Sequence, residues 1–250
     1  MGEGLVGTIF QAVAVWPFLL LAAFTAGIAL SPAVFCFQTL SEMIPTTGSG
    51  HWLGLAFALV FAYGVYGFTL ILIAPLLNML LGGRLVAGKN KQVSLRNLTW
   101  YVHATLTLLP RLSFLEFICA TPYLNLYYVL MGMKIGNNVA INTVAIADPS
   151  LIEIGDNTTL GGSCSIMGHY AQKGYLVLAP VKIGSGVTIG LRAIVMGGVS
   201  IGDKAKVLAG SFVLPKSVIP AGETWGGIPA RPISREELAS AIGVQSGEEG

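Results

Sequence analysis

Charged residues are scarce in this 250-residue chain: they make up 10% of it, against about 25% in an average soluble protein. The deficit lies on the N-terminal side, since residues 1–83 contain no lysine or arginine and only two acids, Glu3 and Glu42. A net charge of +2 without a clustered basic face predicts no nucleic-acid partner. A sequence that is 54% hydrophobic and so poor in charge over its first third instead predicts membrane-spanning segments.

Cysteine and histidine are also rare, with three of each. Cys36, Cys119 and Cys164 have no metal-binding spacing and cannot all pair, which indicates free thiols in a reducing compartment and predicts no metal site. We interpret Cys164 as a packing residue, because it fills a small position of the repeat described below.

Two long apolar runs, 5–30 and 52–81, are separated by a polar turn at 42–50. Each run exceeds the roughly 20 residues that a helix needs to cross a bilayer. The first run lacks the basic start and the short apolar core of a signal peptide, so we expect it to remain in the mature protein. Pro17 predicts a kink within it. The sequence therefore predicts a membrane domain with two transmembrane helices over residues 1–96.

The loop between the two runs carries no basic residue, whereas four basic residues follow the second run directly. They are Arg84, Lys89, Lys91 and Arg96. By the positive-inside rule, the segment after the second helix is cytoplasmic. This predicts a multi-pass protein of the inner (cytoplasmic) membrane, with its N-terminus and its C-terminal domain on the cytoplasmic side.

Residues 97–131 are apolar and rich in aromatic rings, but they are interrupted by Pro110 and Pro122. None of the pieces is long enough to span a membrane comfortably. Aromatic side chains that are partly polar favour the headgroup level, so we predict two or three interfacial helices over 97–133. We interpret His103, in this zone, as an interfacial or packed side chain.

An aliphatic residue recurs every six positions between residues 183 and 222. The positions are Ile183, Ile189, Val195, Ile201, Val207, Val213 and Ile219. This period is typical of a parallel β-helix, in which short strands join at corners into stacked coils. Three hexads make a triangular coil of eighteen residues, which predicts that Ile183 stacks on Ile201 and Ile201 on Ile219 along the axis.

The repeat reaches back to Ile135, loses phase at Asp148-Pro149, and is absent from 168–180, where we predict a loop that leaves the coil. Residues 134–233 then predict an all-β prism of about five coils, roughly 24 Å high at one strand spacing per coil. Asp156 fills the third position of a hexad and is interpreted as a corner residue.

A short tail, 234–250, follows the repeats. Its first part, 234–242, predicts a short helix, and the glycine- and acid-containing end from residue 243 onward predicts disorder.

The hexads that begin at Val181 and the terminal motif Gly227-Ile-Pro-Ala-Arg-Pro232 resemble the hexapeptide-repeat acyltransferases, a family that includes serine acetyltransferase and sugar O-acetyltransferases. The resemblance implies a left-handed coil, a coenzyme A thioester as co-substrate, and a homotrimer with its sites between neighbours. Hydrophobic helices ahead of such a domain also resemble the membrane-linked C-terminal domains of ε-poly-L-lysine synthetase, where the acceptor is an amine.

His169 is the only histidine of the repeat region, and it begins the predicted loop. Imidazole titrates near working pH and can take the proton of a hydroxyl or amine acceptor. The resemblance implies a catalytic histidine at such an exit from the coil. A carboxylate is needed to hold its second ring nitrogen, and the candidates are Asp148, which we favour, and Glu153.

Backbone N–H groups are expected to stabilise the tetrahedral intermediate of acyl transfer. Gly197 and Gly198 offer unhindered ones, although glycine there equally suits a corner with positive φ. For the thioester donor, the resemblance implies a track along the outside of the last coils. We favour Lys216, which follows Gly198 by eighteen residues, and Arg231 in the terminal motif; further cations on these coils are Arg192, Lys204 and Lys206.

The expected function is that of a membrane-anchored acyltransferase. It would move an acyl group, acetyl first, from acyl-CoA to a hydroxyl or amine of a lipid-linked or amphiphilic acceptor. One alternative is an amide-forming aminoacyl transferase that uses a carrier-protein thioester, and another is a non-catalytic membrane scaffold. A γ-type carbonic anhydrase shares the prism but needs three histidines around each metal, and the repeat region offers only His169.

Overall fold

The computed structural model describes residues 2–48, 50–91, 94 and 97–241. The chain divides into two compact units. Unit 1 comprises Met1–Arg84 with Leu95–Ile118, and unit 2 comprises Leu85–Ser94 with Cys119–Gly250. The predicted boundaries after residues 96, 133 and 233 remain a prediction. The sequence did not indicate that the short segment Leu85–Ser94 belongs to unit 2 while the chain after it returns to unit 1.

Unit 1 contains three α-helices: α1 (Gly2–Glu42), α2 (Gly50–Leu80) and α3 (Leu98–Pro110). Val15–Glu42 and Gly50–Leu80 each have a mean hydropathy of 2.1 and are long and apolar enough to cross a membrane. The first helix continues beyond the predicted run, with Pro32 inside it. The polar turn lies where the sequence predicted it, between Glu42 and Gly50.

The burial pattern of α1 and α2 is the reverse of that in a water-soluble helix pair. Small residues such as Ala29 and Ala58 are buried, at 0% and 4% exposure, whereas Phe35 and Phe57 are 71% and 68% exposed. Close packing through small residues with bulky apolar side chains pointing outward is characteristic of helices packed in lipid.

The end of α2 is tied to α3 by His103, which is fully buried. Its Nδ1 lies 3.2 Å from Asn78 Oδ1 and 3.0 Å from the carbonyl oxygen of Gly83. Because both neighbours are acceptors, Nδ1 carries the proton and donates to them. This confirms the interpretation of His103 as a packed side chain.

Most of the segment 97–131 is helical, as predicted, and its placement at the membrane interface stays a prediction. A π-helical turn, Arg111–Leu115, extends α3, and α4 (Pro122–Leu130) belongs to unit 2. On α4, Leu124 and Tyr127 are buried while Tyr123 and Val129 are exposed. The burial of Tyr127 raises the pKa of its phenol far above its ordinary value.

Unit 2 is a parallel β-helix with three flat sides. The strands of its coils are β2 (Lys134–Ile135), β3 (Ala140–Ile141), β4 (Ile146–Ala147), β5 (Ile152–Ile154), β6 (Thr159–Leu160), β7 (Ser165–Met167), β10 (Val181–Ile183), β11 (Thr188–Ile189), β12 (Ile194–Val195), β13 (Ser200–Ile201), β14 (Lys206–Val207), β15 (Phe212–Val213), β16 (Val218–Ile219) and β17 (Thr224–Gly226). The three sheets run in the orders β16-β13-β10-β5-β2, β17-β14-β11-β6-β3 and β15-β12-β7-β4. These fourteen strands make almost five coils, as predicted.

The register confirms the eighteen-residue coil. Ile183 pairs with Ile201, and Ile201 with Ile219, on one side, and Val195 pairs with Val213 on another. These side chains are 0–3% exposed and fill the axis. Gly190 marks a place where two coils nearly touch, because a Cβ there would lie 2.4 Å from the backbone nitrogen of Ala209.

Asp156 is a corner residue, as predicted. Its Oδ1 accepts the backbone N–H of Asn137 at 2.6 Å, one coil away. Asp203 repeats the contact two coils further on, where its Oδ1 accepts the N–H of Ser185 at 2.8 Å.

The loop predicted at 168–180 is an ordered β-hairpin. It consists of β8 (His169–Gln172) and β9 (Tyr175–Leu178), which pair antiparallel. The two turn residues, Lys173 and Gly174, both have positive φ, 50° and 76°, as a type I′ hairpin turn requires. The linker after α2 contributes β1 (Gly88–Lys91), which pairs with β9 and completes a three-stranded sheet in the order β1-β9-β8.

The C-terminal end of the coils is closed by β18 (Arg231–Pro232), antiparallel to β17, and by the short helix α5 (Arg235–Ala241). Ser234 and Glu237 form a capping box: Glu237 N–H donates to Ser234 Oγ at 3.1 Å, and Ser234 N–H donates to Glu237 Oε2 at 3.0 Å. The predicted tail helix is thus confirmed up to Ala241, and the disorder predicted from residue 243 lies outside the described residues.

Candidate active site

His169 stands where the chain leaves the coil to form the hairpin. It follows β7 and Gly168. The N–H of Gly168 donates to the Ala147 carbonyl at 3.2 Å, and the Gly168 carbonyl accepts the Ala179 N–H at 2.8 Å. These bonds hold both ends of the hairpin against the prism. The His169 side chain is 25% exposed, so the ring is held on one side and accessible on the other.

Asp148 is the carboxylate that meets this histidine. Its Oδ2 is in contact with Nδ1 of His169, and its side chain is only 2% exposed. A carboxylate at Nδ1 holds the proton of the neutral imidazole on that nitrogen and leaves Nε2 as the basic one. Asp148, the carboxylate that the sequence favoured, thus lies against the histidine ring, and its role in catalysis stays a prediction.

The loss of phase at Asp148-Pro149 is what places this carboxylate. Asp148 adopts a left-handed conformation, with φ 62° and ψ 53°, ahead of a 3₁₀ turn at Pro149–Leu151. The Asp148 carbonyl accepts the Leu151 N–H at 2.9 Å and closes that turn. The extra turn replaces a regular corner and brings the carboxylate to the coil above.

Gly168 is a residue of the site that sequence reasoning missed. A Cβ at this position would lie 2.9 Å from Leu151 Cβ and 3.0 Å from Asp148 Cβ. Only glycine therefore lets the histidine strand come this close to the carboxylate. The signal was present in the sequence, since a glycine directly precedes His169.

Glu153 does not meet His169, which corrects the second carboxylate candidate. It is the outward-facing middle residue of β5, and its Oε2 lies 3.4 Å from Nζ of Lys134 on the strand below. Because residues alternate across a strand, a position between the buried Ile152 and Ile154 must point away from the axis. Its ion pair with Lys134 lies at the solvent-exposed surface.

Gly197 and Gly198 lie beside His169 but differ in what their N–H groups do. Gly197 packs on the histidine backbone, since a Cβ there would lie 3.1 Å from the His169 nitrogen. The Gly198 N–H donates to the Ala179 carbonyl at 3.1 Å, so it is already used, and its φ of +81° shows that glycine also serves the corner. Within the described part of the chain, the Gly197 N–H has no hydrogen-bond acceptor.

Lys216 is stacked on these glycines, as the eighteen-residue spacing predicted. Its N–H donates to the Gly197 carbonyl at 3.1 Å, and its Cγ would lie 3.1 Å from a Cβ on Gly198. The side chain is exposed. Lys216, like Arg192 and Lys204, occupies a corner with positive φ, so these cations also have an ordinary role as solvated corners.

Arg231 is engaged by the C-terminal helix. Its Nη1 and Nη2 each lie 3.1 Å from Oε1 of Glu237, and both side chains are exposed. The hydrogen bond from the Ser234 backbone N–H is the main cause that holds the pKa of the Glu237 carboxyl below its ordinary value, and the Arg231 guanidinium is the second. A phosphate group that binds Arg231 would have to compete with this carboxylate.

Cys164 is fully buried, which confirms its interpretation as a packing residue. Burial raises the pKa of its thiol to about 12. Among the described residues, no group of three or more His, Cys, Asp or Glu side chains is placed to hold a metal ion.

Comparison with known proteins identifies the repeat. Residues 180–215 match the family model "Hexapeptide repeat of succinyl-transferase". Over 110 residues, 44% of this chain, the sequence is 30% identical to the delta-poly-L-ornithine synthetase of Acinetobacter baumannii (strain AB307-0294). The match spans only 8% of that much longer protein.

Two solved structures are similar at lower coverage or identity. One is a hexapeptide-repeat acetyltransferase from Vibrio cholerae O1 biovar eltor complexed with acetyl coenzyme A, at 28% identity, 41% of this chain, 60% of that chain and a TM-score of 0.38. The other is a serine acetyltransferase from Brucella abortus strain S19, at 17% identity, 91% of this chain, 72% of that chain and a TM-score of 0.39. The family model covers residues 180–215, and the coil register continues the same stacking through the other coils of unit 2, which is therefore a hexapeptide-repeat β-helix similar to those of the hexapeptide-repeat acetyltransferases.

Proposed function

We propose that this protein is a membrane-anchored acyltransferase in which His169 is the general base. It moves an acyl group, for which acetyl is the favoured candidate, from acyl-CoA to a hydroxyl or amine of a membrane-associated acceptor. The contact between His169 and the buried Asp148, at the point where the chain leaves a hexapeptide-repeat coil, is the observation that carries this proposal.

The reaction needs one proton to be taken up and returned. Nε2 of His169 takes the proton from the acceptor as its oxygen or nitrogen attacks the thioester carbonyl, and Asp148 stabilises the imidazolium. The oxyanion that forms is stabilised by the Gly197 N–H beside the histidine. When the carbon–sulfur bond breaks, the departing thiolate takes the proton back from Nε2, and the products are the acylated acceptor and free coenzyme A.

The activity assay follows thiol release from acetyl-CoA by the detergent-solubilised full chain, with membrane extract as the acceptor source. We expect release that depends on the extract. If no acyl-CoA is consumed although the protein binds coenzyme A, the donor assignment is wrong and a carrier-bound thioester takes its place.

The second candidate function is amide formation with an aminoacyl group delivered as a carrier-protein thioester. It is supported by the similarity to a delta-poly-L-ornithine synthetase over 110 residues. The same proton transfer would serve it, with the acceptor amine in its neutral form as the nucleophile. Offering the chain an ornithyl or lysyl carrier thioester in place of acetyl-CoA distinguishes the two functions.

The membrane anchor is proposed from α1 and α2, whose buried small residues and exposed bulky apolar residues suit a lipid environment. We expect reporters fused before Gly2 and after Gly250 to read cytoplasmic, because the basic residues that follow α2 favour that side. A periplasmic signal from either fusion would contradict the two-helix topology.

The proposed trimer uses the side of the prism formed by β15, β12, β7 and β4. Most of its outward-facing residues are apolar, among them Ile194 and Phe212, which are adjacent in register, and Leu214, which is 46% exposed. His169 directly continues the chain of β7 on this side. Packing three such sides around a closed threefold axis buries them and brings a neighbour close to the histidine.

Replacing Ile194 by glutamate is expected to convert the trimer into a monomer, because it places three like charges in an apolar contact. The matched control is Thr188→Glu, on an exposed outward position of a polar side. Native mass measurement in detergent should show a trimer for the wild type and for Thr188→Glu. A wild type that is monomeric at working concentration would end the trimer proposal.

A further inference from the structure

We infer that the sheet of β1, β9 and β8, hereafter the hairpin sheet, binds anionic lipid headgroups through Lys89, Lys91 and Lys173. This inference rests on the proposed membrane anchor and adds the surface that would set His169 at the headgroup level.

The hairpin sheet carries positive charge only. Its strands and turn comprise residues 88–91 and 169–178, which contain three lysines and no aspartate or glutamate. All three lysines are exposed. A surface with one sign of charge attracts the opposite sign, and the anionic headgroups of a bilayer are such a partner.

Strand pairing assembles the cluster from distant parts of the sequence. Lys91 is opposite Tyr175, and Tyr175 is opposite Gln172, which precedes Lys173 in the turn. The hairpin tip therefore adds a third lysine to the two that follow α2. The sequence alone does not show this, because Lys173 lies eighty-two positions after Lys91.

Apolar and aromatic groups accompany the lysines. The Nζ of Lys89 lies 4.5 Å from the ring centroid of Tyr175, which is half-buried. Val86, just before β1, is 79% exposed. Lysine, tyrosine and an exposed aliphatic side chain together are the composition of surfaces that sit at the headgroup level.

The position in the sequence favours lipid as the occupant. Only seven residues, 81–87, separate the end of α2 from β1. Basic residues directly after a membrane helix act within the range of the surface potential, and each changes the binding constant by about fivefold. At the other end of β8, His169 is four residues from Lys173, about 13 Å along the strand, so a headgroup bound at the lysines would lie near the base.

The test measures amide hydrogen exchange of the full chain in nanodiscs. Discs of phosphatidylcholine alone are compared with discs that contain phosphatidylglycerol. We expect exchange over residues 169–178 to slow by at least about fivefold in the anionic discs and to recover in high salt. The triple variant Lys89→Gln, Lys91→Gln, Lys173→Gln should lose this dependence, whereas Lys182→Gln, an exposed lysine on β10, should keep it.

Three results would overturn the inference. The first is exchange over 169–178 that does not depend on lipid charge, and the second is a dependence that survives in the triple variant. The third is equal protection by inorganic pyrophosphate in neutral discs, which would assign the lysines to a soluble phosphate ligand. Carbonate extraction of the chain from the discs reports separately on the anchor: release from the discs would contradict the proposed function as well, whereas a retained chain with an insensitive hairpin contradicts this inference alone.

Discussion

Replacing His169 by alanine is expected to lower turnover by about 10²- to 10⁴-fold, the usual cost of removing a general base. Binding of acyl-CoA should change little, because the cations and glycine corners of the proposed donor track belong to later coils. Folding and trimer formation should also be retained, since the ring is 25% exposed and does not fill the prism axis. The measurement is thiol release from acetyl-CoA in detergent with membrane extract, together with coenzyme A affinity.

Lys182→Ala is the matched control for His169→Ala, because it truncates an exposed side chain on an outward strand position of the same prism and Lys182 is not among the proposed donor cations. It should keep most of the turnover. Equal consumption of the thioester by wild type and His169→Ala would show that the catalytic assignment is wrong. Loss of the trimer in His169→Ala would instead show that the ring has a structural role.

The coil could be predicted because the same pattern of buried residues recurs in every hexad. Each hexad supplies one inward aliphatic residue and one small residue, and a mistake of one position would turn Ile183 or Ile201 from the axis to the surface. The eighteen-residue spacing then fixes which residues stack, and this is why the stacking of Lys216 on Gly198 could be predicted. Irregular parts have no such redundancy.

The hairpin sheet was missed for a physical reason. The stretch 168–180 breaks the period of six, so the prism pattern ends there, and a strand period of two over four residues is a weak signal. The turn at Lys173-Gly174 has only one glycine, although both residues take positive φ. The pairing of β1 with β9 joins positions more than eighty residues apart, and no local pattern reports that contact.

Within the site, the sequence predicted the histidine and offered two carboxylates. The structure separates them by what each position does: Asp148 sits in an irregular left-handed turn that faces the next coil, whereas Glu153 occupies a regular outward strand position. For Arg231, the sequence predicted the motif but not the contact. Its motif could be read from sequence, but its contact with Glu237 depends on a capping box that forms only when the tail folds back.

Replacing Asp148 by asparagine is expected to lower kcat by on the order of 10²-fold, the scale of a reacting group that is misoriented by about an ångström. Asparagine has the same shape and tolerates the left-handed conformation that Asp148 adopts. The fold should therefore be kept while the negative charge beside Nδ1 is lost. An amide can also donate to Nδ1, which favours the tautomer with its proton on Nε2, where it cannot serve as the base.

The readouts for Asp148→Asn are kcat and KM measured separately, with the melting temperature as a check on folding. A positioning role predicts a large fall in kcat with KM for acyl-CoA nearly unchanged, since Asp148 touches the histidine and not the proposed donor track. Glu153→Gln is the matched control, because it makes the same chemical change at a residue whose ion pair is with the exposed Lys134. It should leave kcat within about twofold, since a surface ion pair contributes little. Equal falls in both variants would show that the carboxylates act through stability of the lower coils, and an unchanged kcat in Asp148→Asn would remove the carboxylate from the mechanism.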